Sequence, residues 1–341
     1  MDPLPAIDGY ALAPDWQPVG RCWLSWPSRL DTWGADFEHV GLTFAAVARA
    51  IAEIVPVTIV VPPRYAAQAA LQLARRAEIL GGTVEDAWLG DLAPLFLRDD
   101  SGDAAALCCR FNGWGNRVHD YEGDDSFADW LAKRLGLIRY DCPLTLEAGA
   151  ISGDGQGTPL AARDVLLNAN RNPTLDQRQV EDLLALYLGI RKVIWLDGAP
   201  LGHVGDGQLV PLARFVAPGR IACADADAGH PWRRLLADNR ATLADATDAL
   251  GRPLELIDVA MPAAAGQVAG GGGLASYLGY RVVNDCVLMP VYGGRGDEAA
   301  AQTLSALFAG AELRPVELGE LGRHGPGLSA LIVGEPAAAN A

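Results

Sequence analysis

Short apolar runs alternate along the chain with longer segments in which apolar residues recur at helical spacing. Residues 22–27 and 55–63 are compact apolar runs, the second closed by two prolines, and they predict strands. Residues 37–54 and 65–79 carry apolar residues three and four positions apart and predict helices. Strands alternating with helices indicate an α/β fold.

The same alternation continues to the C-terminus. Further helices are predicted at 125–136, 174–189, 231–250 and 297–310, and further strands at 144–151, 192–196, 254–260 and 281–293. A strand–helix–strand unit recurs at intervals of roughly 60–70 residues. Because no linker-like stretch divides the chain, residues 1–341 are predicted to form a single domain.

Composition and charge limit the kinds of molecule that this protein is expected to bind. The net charge of −15 disfavours nucleic acid, whose phosphates require a basic surface. No run of about 18 apolar residues predicts a membrane span, and the N-terminus has neither the basic nor the apolar region of a secretory signal. The six cysteines are scattered without a CxxC pair, so we expect a cytoplasmic protein without disulfides, metal or cofactor.

A series of motifs follows in a fixed order: CWLSWPSRLDTWG at 22–34, FNGWGNR at 111–117, LEAGAISGDGQGT at 146–158, LLNANRNP at 166–173 and LARFVAPG at 212–219. Together they resemble the agmatine deiminase and bacterial-type peptidylarginine deiminase family. The resemblance covers nearly the whole chain. It implies the pentein fold, an α/β-propeller of five ββαβ-type modules around a pseudo-fivefold axis that carries the active site.

The resemblance also implies a chemistry. In the family, two carboxylates grip a planar guanidinium through paired N–H donors. A cysteine thiolate attacks the central carbon, ammonia leaves, and water then releases a ureido product. A histidine moves the protons. The family motifs that carry these groups are an Arg-Asp followed by Gly-Pro, a Leu-Glu-Gly-Gly strand end, a Gly-His-Val-Asp-Asn, and a closing His-Cys.

Some family positions retain polar residues that suit a cation. Asp99, after Arg98, matches the first motif, and Glu147 matches the glutamate of the second. Asp206 matches an acidic residue just before the family's Gly-His, and Trp114 of FNGWGNR is expected near the mouth of the site. These residues are candidates for binding a guanidinium or amine.

The reactive family positions hold inert residues in an ungapped alignment. The family histidine falls on Gln208, the second carboxylate on Val210 and the nucleophilic cysteine on Ala330. An alignment with a five-residue insertion would instead make His203, in a literal Gly-His-Val, the proton carrier and a further ligand-binding candidate. Without thiolate and base, the covalent route is lost.

The leading hypothesis is therefore a deiminase-like protein without the nucleophile, acting as a non-catalytic binding or partner subunit for a guanidino or amine ligand. One alternative is an enzyme with altered chemistry on a guanidino or amino-acid-derived substrate, using Asp99, Asp206 or His203. Another is an active agmatine deiminase, forming N-carbamoylputrescine, which requires a different alignment at both catalytic loops. The resemblance implies a homodimer, or a heteromer with an active relative; the sequence itself indicates no oligomeric state.

Overall fold

A computed structural model describes residues 3–85, 87–199, 207–262, 275–319, 321–325 and 327–338. Within these ranges the strands are β1 Ala11–Leu12, β2 Val19–Ser25, β3 Val57–Val61, β4 Glu78–Gly81, β5 Leu95–Arg98, β6 Ala104–Arg110, β7 Ile138–Thr145, β8 Ile151–Gly153, β9 Pro159–Ala162, β10 Ile194–Leu196, β11 Ala213–Ala217, β12 Arg220–Asp225, β13 Glu255–Ala260, β14 Arg281–Val283, β15 Cys286–Val291, β16 Glu312–Glu317 and β17 Val333–Pro336.

Six longer helices accompany these strands in the described ranges: α1 Phe37–Ile51, α2 Ala66–Leu73, α3 Phe127–Leu135, α4 Gln177–Leu188, α5 Arg233–Asp245 and α6 Gly296–Leu307. Single helical turns, α or 3-10, occupy Leu30–Trp33, Gly34–Asp36, Pro63–Tyr65, Leu89–Leu92, Gly113–Asn116, Glu122–Asp125, Ala148–Ala150, Arg163–Leu166, Tyr277–Gly279, Leu321–His324 and Leu328–Leu331. None of the described helices combines the length and apolarity needed to cross a bilayer.

One supersecondary unit is repeated in all five sheets. An antiparallel strand pair is followed by a helix and then by a third strand parallel to the second. The units are β17-β2-α1-β3, β5-β6-α3-β7, β8-β9-α4-β10, β11-β12-α5-β13 and β14-β15-α6-β16. Five small ββαβ sheets are the pentein architecture that the resemblance implied.

The two ends of the chain close the ring. The C-terminal strand β17 pairs antiparallel with β2, Val333 lying opposite Trp23. One ββαβ unit is therefore assembled from both termini. Its third strand, β3, is the run VTIVV, and all of its residues are buried, as expected for a parallel strand covered on both faces.

Apolar spacing accounts for the helices that cover the sheets. In α1, Val40, Phe44, Val47 and Ile51 are fully buried and recur at intervals of three and four residues, which places them on one face. Tryptophans fill much of the adjoining core, where Trp26 and Trp33 are among the largest fully buried side chains.

Two predicted elements differ from the structure because turn residues interrupt them. The helix expected over 65–79 ends at Leu73, since Ala74 and the next residue adopt left-handed φ angles of 49° and 62°. The strand expected over 281–293 is a hairpin of β14 and β15, with Asn284 at φ 53° in the turn. Asparagine tolerates this conformation better than most residues, and apolar periodicity does not detect it.

The segments that precede the first strands of the units meet one another. The turn Leu328–Leu331, before β17, contacts Leu89–Leu92 before β5, Ala148–Ala150 before β8 and Tyr277–Gly279 before β14. Residues far apart in sequence are brought together at this junction, which we call the hub.

Candidate functional site

A cavity of about 50 Å³ lies at the hub. Residues from several of the pre-strand segments line it, among them Asp91, Gly149, Gln208, Val210 and Ala330. Gln208, Val210 and Ala330, which the sequence analysis predicted at reactive family positions, all line this cavity. In this chain they surround a carboxylate with an amide and two aliphatic side chains.

Asp91 is the buried carboxylate of the cavity. Its Oδ2 accepts hydrogen bonds from Gln208 Nε2 at 2.6 Å and from Trp114 Nε1 at 3.1 Å, and its Oδ1 accepts one from the Gly149 backbone N–H at 3.3 Å. Burial, followed by repulsion from Glu147, raises the pKa of Asp91 to about 7, although the three hydrogen bonds oppose this shift. Asp91 therefore titrates near neutral pH.

A strained loop places Trp114 against Asp91. Gly113, Trp114 and Gly115 have φ angles of 64°, 52° and 76°, in the left-handed region. A Cβ added to Gly115 would overlap the Asn170 side-chain amide, so only glycine fits there. The FNGWGNR motif, expected near the mouth of the site, thus directs an indole N–H at the hub carboxylate.

Glu147 lies beyond the end of a strand rather than within one. The strand predicted at 144–151 ends at Thr145, where the Asn172 side chain bonds both the N–H and the carbonyl of Thr145. Glu147 is buried, and its Oε1 accepts a hydrogen bond from Arg171 Nε at 3.1 Å. Its Oε2 is buried without a hydrogen-bond partner. Burial raises the pKa of Glu147, and Arg171 opposes the shift.

Asp99, which the sequence analysis matched to the family's first carboxylate, does not line this cavity. Asp99 follows β5 in a polar turn, where its Oδ1 accepts hydrogen bonds from the backbone N–H groups of Ser101 and Asp103. These hydrogen bonds, the Ser101 hydroxyl first, lower the pKa of Asp99. Asp91 occupies the cavity instead. Pro94 is the missed signal, because the family motif ends in a proline that is absent after Asp99.

The backbone closes tightly around Ala330. A Cβ added to Gly90 would lie 2.8 Å from the Ser329 carbonyl oxygen and 3.0 Å from the Ala330 Cα, so Gly90 allows the two segments to touch. Ala330 itself is buried and lines the cavity with its methyl group. His203 and Asp206 lie outside the described residues.

Cysteines are absent from the cavity wall. None of the six lines it, and each occurs on a strand of one of the sheets. Burial raises the pKa of Cys22 and of Cys223 to about 12, which keeps both thiols protonated at neutral pH. Among the described residues, no group of three or more His, Cys, Asp or Glu side chains is arranged to hold a metal ion.

Fold and site together define a pentein-type α/β-propeller with a buried carboxylate, Asp91, at its hub. The sequence model of the Porphyromonas-type peptidyl-arginine deiminase family matches residues 11–332, and the chain belongs to this family. A Legionella pneumophila (strain Paris) protein named "Putative agmatine deiminase" is 31% identical over 340 residues, covering 98% of each chain.

Solved structures agree with this assignment. An Enterococcus faecalis agmatine deiminase superimposes with a TM-score of 0.93 at 28% identity, covering 98% of this chain and 97% of the other. A C. jejuni agmatine deiminase has a TM-score of 0.82 at 21% identity, covering 96% of this chain and 97% of the other. At 21% identity, the second comparison shows only a shared fold.

Proposed function

We propose that this chain is a deiminase-like pseudoenzyme that binds a small cation, an amine or a guanidinium, at the hub without cleaving it. The observation that carries the proposal is the composition of the cavity. A methyl group stands at the position aligned with the family's thiolate, and a neutral amide at the position aligned with its histidine.

The absence of a nucleophile supports the non-catalytic half of the proposal. The Ala330 side chain is a methyl group without a lone pair, so it cannot attack the central carbon of a guanidinium. Gln208 Nε2 donates to Asp91, so its amide is engaged in holding the carboxylate. An amide does not exchange protons near neutral pH and cannot replace an imidazole as general base.

Two neighbouring buried carboxylates support the binding half of the proposal. Asp91 and Glu147 are close enough to raise the pKa of Asp91 by repulsion, and Glu147 Oε2 lacks a donor. A cation bound in the cavity beside Asp91 would offset the repulsion between the two carboxylates. The volume of about 50 Å³ suits the terminal group of a ligand rather than a whole agmatine molecule.

Calorimetry with matched aspartate variants tests the binding half. Agmatine and arginine titrated into the protein are expected to give saturable heat. Asp91→Asn should weaken binding about 10- to 100-fold, since a hydrogen bond to a charged group is lost. Asp99→Asn removes the carboxylate in the polar turn and should leave binding unchanged. No heat at millimolar ligand, or equal loss in both variants, would refute binding at the hub.

A second candidate function is favoured by one observation, the pKa of about 7 at Asp91. A group that titrates near neutral pH can serve as general acid or base. An enzyme of altered chemistry would use it to move a proton on a guanidino or amino-acid-derived substrate. That function predicts turnover that Asp91→Asn abolishes, whereas the pseudoenzyme gives none.

A further inference from the structure

Arg281, at the start of β14, is a cation without a partner. Its Nε is buried and has no hydrogen-bond partner, and within the described residues its guanidinium makes neither a hydrogen bond nor an ion pair. A Cβ added to Gly334 would lie 2.8 Å from Arg281 Nη2, so the guanidinium is held against the backbone of β17. Arg281 is half-buried, and its Nε–H is enclosed by protein without an acceptor.

A second cavity, of about 100 Å³, borders this guanidinium. Arg281 and Ser329 line both this cavity and the hub cavity. The remaining wall includes the aliphatic side chains of Leu12, Ile151 and Ile332 and the polar side chains of Asp15 and Gln17. The site thus combines an arginine and a hydroxyl with an aliphatic surface.

Neighbouring charges do not satisfy Arg281. The carboxylate of Asp15 is hydrogen-bonded to Arg214 Nη2 at 2.6 Å, and Arg214 Nη1 donates to the carbonyls of Leu278 and Tyr280 at 2.9 Å. Burial lowers the pKa of Arg281, Asp15 opposes the shift at longer range, and Arg214 adds repulsion. Two arginines and one aspartate leave a local charge of plus one in a chain whose net charge is −15.

An unpaired charge in a confined site costs free energy unless a counter-charge is supplied. Arginine keeps its proton at ordinary pH, so deprotonation does not remove this cost. A bound anion would remove the cost by pairing with the guanidinium. A carboxylate matches best, because its two oxygens can accept from two N–H groups of one guanidinium, and a short alkyl chain suits the aliphatic part of the wall.

We propose that the cavity beside Arg281 binds a short-chain carboxylate, with the carboxylate on the guanidinium and Ser329, and the alkyl group on Leu12 and Ile332. The size limits the ligand. A cavity of about 100 Å³ is smaller than the roughly 150 Å³ that admits benzene, so acetate or propionate fits and a larger acid does not.

Thermal unfolding with sodium acetate and sodium propionate tests the proposal. Sodium chloride and sodium sulfate at the same ionic strength serve as reference salts. Acetate is expected to raise the Tm by about 1–3 °C over chloride at saturating concentration. Arg281→Met should abolish the rise. Arg220→Met, which removes a surface arginine paired with Glu255, should retain it.

Several results would overturn the proposal. These are no rise in the wild-type protein, the same rise in Arg281→Met, or an equal rise with sulfate. If Arg281→Met does not fold, Arg281→Lys keeps the charge and loses the planar fork, and is expected to reduce the rise; a full rise would contradict bidentate carboxylate binding. Asp91 lines the hub cavity and not this one, so Asp91→Asn should retain the rise with acetate, which separates this site from the agmatine site.

Discussion

At the scale of single residues, the hub is a buried acid held by donors that do not react. Asp91 receives an amide, an indole and a backbone N–H, and it remains close to a second acid, Glu147. Two buried carboxylates this close together usually retain a proton between them. Its protonation therefore contributes to the stability of the fold.

This linkage gives a prediction for stability against pH. The folded-state pKa of Asp91, about 7, lies above the ordinary 3.8, so the native protein keeps a proton that the unfolded chain releases between these values. The contribution of Asp91 is present at low pH and is lost as pH rises through about 7. On moving from pH 8 to pH 5, wild type should gain roughly 2–3 kcal/mol more than Asp91→Asn.

Urea unfolding at the two pH values measures the difference. Asp99→Asn is the control, because the pKa of Asp99 is lowered and its titration lies below this window. Glu147 has a raised pKa as well and contributes in the same direction in all three proteins. Equal pH dependence in wild type and Asp91→Asn would contradict the assignment of the buried acid to Asp91.

At the scale of elements, the motifs that suggested the family are supports for the hub. In NRNP, Arg171 bonds Glu147, and Asn172 fixes the end of β7 at Thr145. In FNGWGNR, left-handed glycines direct the Trp114 indole at Asp91. The motifs that carry the resemblance thus position the two carboxylates, Asp91 and Glu147.

Helix α4 offers a prediction on local sequence chemistry. Asp176 accepts from the Gln179 backbone N–H at 2.9 Å, and the Gln179 side chain accepts from the Asp176 N–H at 2.9 Å, a capping box. Asp176→Ala should cost about 1 kcal/mol of unfolding free energy. Asp182→Ala, an exposed site within the same helix, is the control and should cost less. Equal costs in urea unfolding would show that the cap is dispensable.

Helices were predictable from sequence to different degrees. The apolar spacing of α1 and the terminal residues of α4 placed both within a few residues of the structure. The interruption at Ala74 and the turn at Asn284 were not predictable, because a left-handed residue inside an apolar run leaves no periodic signal. The predicted ends of elements were wrong where backbone conformation, rather than burial, ends the element.

At the scale of the whole molecule, the ring of five units explains both the success and the failure of sequence reasoning about the site. Each unit contributes a pre-strand segment to the hub, so Gln208, Val210 and Ala330, which are far apart in sequence, line one cavity. The sequence analysis matched Asp99 because it follows Arg98, as in the family's Arg-Asp pair. Asp91 lies before the same strand, β5, and the proline three residues after it, Pro94, is the sequence feature that favours Asp91.

The most direct test of the account is ammonia release from agmatine, with mass spectrometry for any ureido or other product. An active agmatine deiminase serves as positive control, and Asp91→Asn as the control for contaminating activity. The account predicts no ammonia above buffer from the wild-type chain, in a preparation that binds agmatine by calorimetry. Stoichiometric ammonia and N-carbamoylputrescine, lost in Asp91→Asn, would contradict it.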